Sequence, residues 1–211
     1  KKIVQRFTIL FYLERMKPLF SVLFILSFLF SEITIPSPNL NHWQPLVEGK
    51  ISVEWKEIDA IQWCRSQTVI PVSISRVEQI IEDKQNYARV FKRVDFANII
   101  TEDIVHLALD MPFPFSGRDY VVQYIQSIEG KDQVYQFTAV TEPKVAIRGD
   151  YVRLINAAGE WRLTALDSNR TKVTYLWNGE LLGDFPDWAL PRAWETQGIE
   201  VLTWLEEALI K

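Results

Sequence analysis

The residues that could carry acid–base, nucleophilic or metal chemistry are few in this 211-residue chain: His42, His106, Cys64 and the adjacent acids Glu102-Asp103 and Glu206-Glu207. A nucleophile needs a base within reach, and neither histidine has a Ser or Cys motif beside it. Two histidines and one cysteine are too few for a His/Cys metal cluster, and a single cysteine cannot close an internal disulfide. Cys64 falls in an apolar, strand-like run and reads as a small buried hydrophobe. Neighbouring acids on a strand or helix point in different directions, so the two acidic pairs read as solvated. No glycine-rich phosphate loop or dinucleotide fingerprint occurs. No catalytic residue, metal or cofactor is therefore expected.

The aromatic content is the positive signal. The chain holds 8 Trp, 7 Tyr and 12 Phe, and every tryptophan lies beyond residue 42. Tryptophan is bulky and carries an N–H that wants a partner, so eight suggest broad apolar walls with polar edges. Lys1, Lys2, Arg6, Arg15 and Lys17 against Glu14 give the first 31 residues a charge of +4, which leaves −8 for the rest of a chain whose net charge is −4. An acidic body argues against nucleic acid, whose phosphates demand a basic face.

The elements that must position these aromatics follow from spacing. Residues 19–30 (LFSVLFILSFLF) form the longest apolar run, preceded by Met16-Lys17-Pro18 and closed by Glu32, Pro36 and Pro38. Twelve residues rise only about 18 Å as a helix, short of a roughly 30 Å hydrocarbon core. Residues 16–31 read as a secretory signal peptide, with an uncleaved anchor or a buried helix as alternatives. Residues 1–15 read as an upstream extension and 32–44 as a linker, before a domain over 45–211. The expected destination is the periplasm or cell envelope.

Within the domain, ISVEWKEI and IQWCRSQTVI predict a hairpin, followed by a short helix that Ser73 or Ser75 could cap and a second around Tyr87 to Val94. From residue 96 the pattern predicts strands: ANIITEDIVHLALDMP, RDYVVQYIQSIE, QVYQFTAVTE, KVAIRGDYVRLINAAG, EWRLTALD and TKVTYLWNGEL. Short turns between them imply an antiparallel meander. Asp187 to Lys211 predicts a terminal helix, Asp187 as its cap, with Leu190, Trp194, Val201, Leu202, Leu205 and Leu209 on one face and Trp204 off it. This is an α+β layout. Alternation puts Arg118, Tyr120, Val122 and Tyr124 on one face of their strand, Trp161, Leu163 and Ala165 on another, and Val173, Tyr175 and Trp177 on a third. These sets form either a solid core or an aromatic cavity wall.

Three segments then carry a family resemblance. MPFPFSGRDYVVQY, DYVRLINAAGEWRLTAL and TKVTYLWNGELLGDFPDWALPRAW resemble, in order, the Arg-Asp-aromatic strand, the Gly/Trp strand pair and the last strand with its Gly-x-x-Pro-x-Trp lead into the terminal helix of START (steroidogenic acute regulatory protein-related lipid-transfer) domains. The resemblance covers roughly 45–211. It implies a helix-grip fold, a curved antiparallel sheet wrapped round a long C-terminal helix with an internal hydrophobic cavity. It implies binding, with transfer as a further role, of a lipid or other hydrophobic small molecule, without chemistry, by a monomer in transient contact with membrane. The implied ligand-binding set is Arg118, Tyr120, Tyr124, Trp161, Tyr175, Trp177, Trp194 and Asp110; Arg118 in the cavity wall would need a partner, for which Asp110, eight residues earlier, is a candidate. Pro186 and Trp188 would stand at the gating junction. An aromatase/cyclase-type enzyme of the same fold and a cavity-less interaction module of the envelope are the competing readings.

Overall fold

The computed structural model describes residues 33–183 and 185–210. The expected signal peptide and upstream extension lie outside the described residues. Among the described residues no helix is long and apolar enough to cross a membrane. From Ile35 onward the chain forms one compact unit.

Nine strands pair in the order β1-β2-β3-β10-β9-β7-β6-β5-β4, every pair antiparallel, making a curved sheet. The strands are β1 (Gln44–Val47), β2 (Ser52–Ile58), β3 (Ile61–Ile70), β4 (Val94–Ile99), β5 (Ile104–Leu109), β6 (Arg118–Glu129), β7 (Asp132–Ala139), β9 (Ala158–Asp167) and β10 (Arg170–Asn178). A two-residue strand, β8 (Val152–Arg153), runs parallel to β6 at the side. Helix α1 (Ile74–Glu82) turns Val77 and Ile81 inward, and a 3-10 turn leads to the short α2 (Tyr87–Val90). The 21-residue α3 (Leu190–Ile210) lies over the sheet, which completes the helix-grip architecture.

The expected hairpin is β2–β3, with Asp59 and Ala60 both at positive φ in its two-residue turn. Four local expectations are corrected. Gln44–Val47, at the expected linker–domain boundary where no strand was predicted, pairs with β2 as β1. The run ANIITEDIVHLALDMP is two strands, because Thr101 accepts from the Ile104 amide and Asp103 from the Thr101 hydroxyl, a polar turn that ends β4 before β5 begins. Most of KVAIRGDYVRLINAAG is loop held by β6 main chain, with the Val152 and Leu154 amides donating to Gly117 and Asp119 carbonyls. Asp187 does not cap α3; a 3-10 turn over Asp187–Ala189 starts at Pro186, and Ser73 likewise makes no capping bond to α1.

One face of α3 packs tightly. Trp194, Gly198, Leu202, Leu205 and Leu209 are buried along it. A side chain on Gly198 would come within 3.1 Å of Val53 and Trp177, so the helix approaches the sheet there only because the residue is glycine. Gly179 serves the neighbouring contact, its carbonyl accepting from the Trp194 indole at 2.8 Å where any Cβ would collide with that ring and with the Cys64 sulfur.

Candidate functional site

Beside that packed face, sheet and helix separate and enclose a cavity of about 380 Å³. This falls within the range of small-molecule pockets, at its lower end. Its floor is built by strand alternation. β6 contributes Arg118, Tyr120 and Tyr124, β7 contributes Phe137, β9 contributes Trp161, and β10 contributes Tyr175 and Trp177. Its roof is the second face of α3: Ala193, Thr196, Gln197, Glu200, Val201 and Trp204. Trp204, which sequence spacing sets off the core stripe, belongs to this roof.

The floor is a continuous aromatic surface. Trp161 lies 4.3 Å from Tyr175 between centroids, and Tyr175 stacks on Trp177 at 5.0 Å and 15°. Phe91 meets Trp161 at 5.9 Å and Tyr87 at 5.1 Å, closing the end where α2 sits. At the other end Phe115 and Phe185 pack at 4.5 Å. Here Trp188, 84% exposed, is both part of the lining and open to solvent, and Phe113 on the β5–β6 loop is 96% exposed. Arg118 and Tyr124 are six residues apart on β6, so the floor extends about 20 Å from one end toward the other.

Polar groups on this surface divide into engaged and open ones. Arg118 is fully buried, and its guanidinium donates to the main-chain carbonyls of Leu181 at 2.5 Å, Leu182 at 3.2 Å, Ser116 and Gly117. The Phe185 ring lies 6.0 Å away. Arg93 grips Glu200 through two contacts, 2.5 and 2.9 Å, joining the foot of β4 to α3. Tyr87 donates its hydroxyl to the Ile81 carbonyl at 2.6 Å. The hydroxyls of Tyr120, Tyr124 and Tyr175 make no bond as close as this, Tyr124 interacting only loosely with Tyr87 and Tyr175 with Gln197, and the buried Trp177 indole N–H has no protein partner among the described residues. Burial pushes all four phenols well above their ordinary value, so they stay neutral donors.

Six residues of the implied set (Arg118, Tyr120, Tyr124, Trp161, Tyr175 and Trp177) line one cavity. Trp194 does not. It faces the packed side of α3, where its ring meets Trp55 at 5.2 Å, because a helix only 3.6 residues per turn cannot show one position to both faces. Asp110 is exposed and is not among the acceptors of Arg118; only its amide is used, donating to the Arg93 carbonyl. Pro186 is half-buried at the start of the 3-10 turn.

The sequence reading passed over the buried acid Asp119. Alternation with Arg118 turns it to the opposite face, where it accepts from His106 Nε2 at 2.5 Å and from the Arg153 guanidinium, and takes the Arg148 amide at 3.2 Å. It pins the 140–153 loop to the back of the floor. The signal was the Arg-Asp dipeptide itself, since adjacent strand residues always serve opposite faces. Cys64 is buried, and burial pushes its thiol up. Among the described residues no cluster of His, Cys, Asp or Glu could hold a metal ion.

No protein-family model matches the sequence, and no curated protein does. Solved structures do match the fold. A STAR-related lipid transfer protein from Xanthomonas axonopodis is 21% identical with a TM-score of 0.70, over 81% of this chain and all of that one. Human STARD10 is 14% identical at 0.73, over 86% and 82%. The human StAR-related lipid transfer protein 5 is 16% identical at 0.72, over 79% and 86%. At these identities the likeness establishes the START-type helix-grip fold.

Proposed function

We propose that this protein binds a lipid or other hydrophobic small molecule in the cavity under α3, as a carrier that performs no covalent chemistry on it. The observation that carries this reading is the aromatic floor from Phe91 through Trp161 and Tyr175 to Trp177, facing a cavity of about 380 Å³ instead of a filled core. Removing about 300 Å² of ligand surface from water contributes about 7 kcal/mol before losses of ligand freedom. The lipid-transfer names of the structural relatives favour the same ligand class. The carrier reading is favoured over an enzyme because the one buried imidazole, His106, is committed to Asp119 on the far side of the floor.

The exposed Trp188 and Phe113 beside the open end suit a brief contact with the membrane interface, where aromatic rings lodge at headgroup depth. With residues 16–31 as an export signal, the carrier would act as a monomer in the periplasm or envelope. Native mass spectrometry of protein purified from its host tests the reading. A co-purifying apolar molecule of defined mass is expected; an empty protein that also fails to displace a fluorescent lipid probe would overturn it. Export is checked separately by fractionating cells that express the full chain.

A further inference from the structure

The cavity offers three open hydroxyls and no cation that is not already engaged. Of the arginines that line it, Arg93 is held by both carboxylate oxygens of Glu200, and Arg118 spends its donors on main-chain carbonyls. Arg192 stands at the solvent side and pairs with Glu195. Lys84 lies 4.6 Å over the Tyr124 ring, but it is outside the cavity lining, and desolvation already lowers its pKa. Glu180, the remaining charged group of the lining, accepts from Asn156 and would repel an anion.

A phosphate or carboxylate brought inside would lose its water and find every lining arginine already hydrogen-bonded to the protein, a combination that buried sites do not tolerate. A plain hydrocarbon would satisfy the walls but leave the hydroxyls of Tyr120, Tyr124 and Tyr175 without partners. These three come from β6 and β10 and converge on the space near Tyr87 and Gln197.

We propose that the occupant is an electrically neutral lipid bearing a hydroxyl or carbonyl group, which is seated against the hydroxyls of Tyr120, Tyr124 and Tyr175 with its apolar body toward Phe115 and Trp188. The proposal rests on the cavity being a lipid site and names the class that site selects.

The test is a displacement titration of the purified chain with four probes sharing one eighteen-carbon chain: octadecene, oleyl alcohol, oleate and oleyl phosphate. Oleyl alcohol is expected to bind at least about tenfold more tightly than each of the other three, each neutral hydrogen bond being worth about fivefold. The isosteric variants Tyr120→Phe, Tyr124→Phe and Tyr175→Phe should each remove part of the preference over octadecene while leaving octadecene binding unchanged. Thermal melts identify any variant that fails to fold, and the four-probe series on the unaltered chain decides the proposal without the variants. Equal or tighter binding of oleate or oleyl phosphate overturns it, as does an alcohol preference that survives all three substitutions. Uptake of none of the four probes overturns the lipid-site reading itself and this proposal with it, an outcome distinct from uptake with the wrong preference.

Discussion

The two faces of α3 make opposite use of one helix. On the packed face Trp194, Gly198, Leu202, Leu205 and Leu209 are buried, with the glycine admitting Val53 and Trp177 to close contact. On the cavity face Ala193, Thr196, Gln197, Glu200, Val201 and Trp204 alternate small, polar and large residues and line open space, with Glu200 reaching across to Arg93. A helix that packs on one stripe can leave the adjacent stripe standing off. Stability and binding are thus separable along a single element, and substitutions on the two faces should show it.

The packed face carries the largest effect. Leu205 is fully buried, so Leu205→Ala removes packing and leaves a void, costing about 3 kcal/mol. Thermal unfolding should shift down by roughly 6–12 °C at 2–4 °C per kcal/mol for a domain of this size. Ala193→Phe on the cavity face should do the reverse. It places a ring in open space, so the melting temperature should hold within a few degrees while uptake of a fluorescent lipid falls more than tenfold. If Ala193→Phe destabilises as Leu205→Ala does, the two faces are not separable and the comparison fails.

The packed face was readable in the sequence, and the cavity face only in part. Leu202, Leu205 and Leu209 recur at helical spacing with Trp194 and identify a buried stripe, but the same spacing also assigns Leu190 and Val201 to it, and Val201 lines the cavity instead. Alternation likewise gathered Tyr120, Tyr124, Trp161, Tyr175 and Trp177 onto shared strand faces. Whether those faces meet atoms or empty space depends on the separation of sheet and helix, which no local pattern encodes. Partnerships across the fold were the weakest inference. Charge and closeness in the chain make Asp110 a candidate partner of Arg118, yet the chain bends so that the carbonyls of Leu181 and Leu182, more than sixty residues away, reach it. Glu200 was invisible for the same reason, its partner Arg93 lying on a different element.

Alkaline pH gives an intermediate effect that sharpens the contrast. The phenols of Tyr87, Tyr120, Tyr124 and Tyr175 lie on the cavity side, and burial raises each above the ordinary value near 10. In the unfolded chain they ionise near pH 10, while in the folded protein they must remain neutral. Their contribution to stability is therefore complete below about pH 10 and is lost as pH rises from there toward the folded values. Tyrosinate absorbance from these four should appear only together with loss of tertiary circular dichroism. Early ionisation without unfolding would mean that water fills the cavity freely.

The smallest effects on stability belong to the two ion pairs that α3 makes through Glu200 and Glu207. Arg93 and Glu200 are each about 30% exposed, at 31% and 28%, so solvent screens them and Glu200→Gln should cost no more than about 1 kcal/mol. Lys92 and Glu207 are more exposed, at 63% and 45%, and Glu207→Gln should cost nothing measurable. The difference between the two pairs is instead one of charge facing the ligand. Glu200→Gln leaves the Arg93 guanidinium in the cavity lining without its counter-ion, whereas Glu207 is not part of that lining. The Glu200→Gln variant should therefore gain several-fold in affinity for oleyl phosphate relative to oleyl alcohol, and Glu207→Gln should not. An unchanged ratio in both would show that the Glu200 carboxylate plays no part in excluding anions, and that the cavity face discriminates by shape alone.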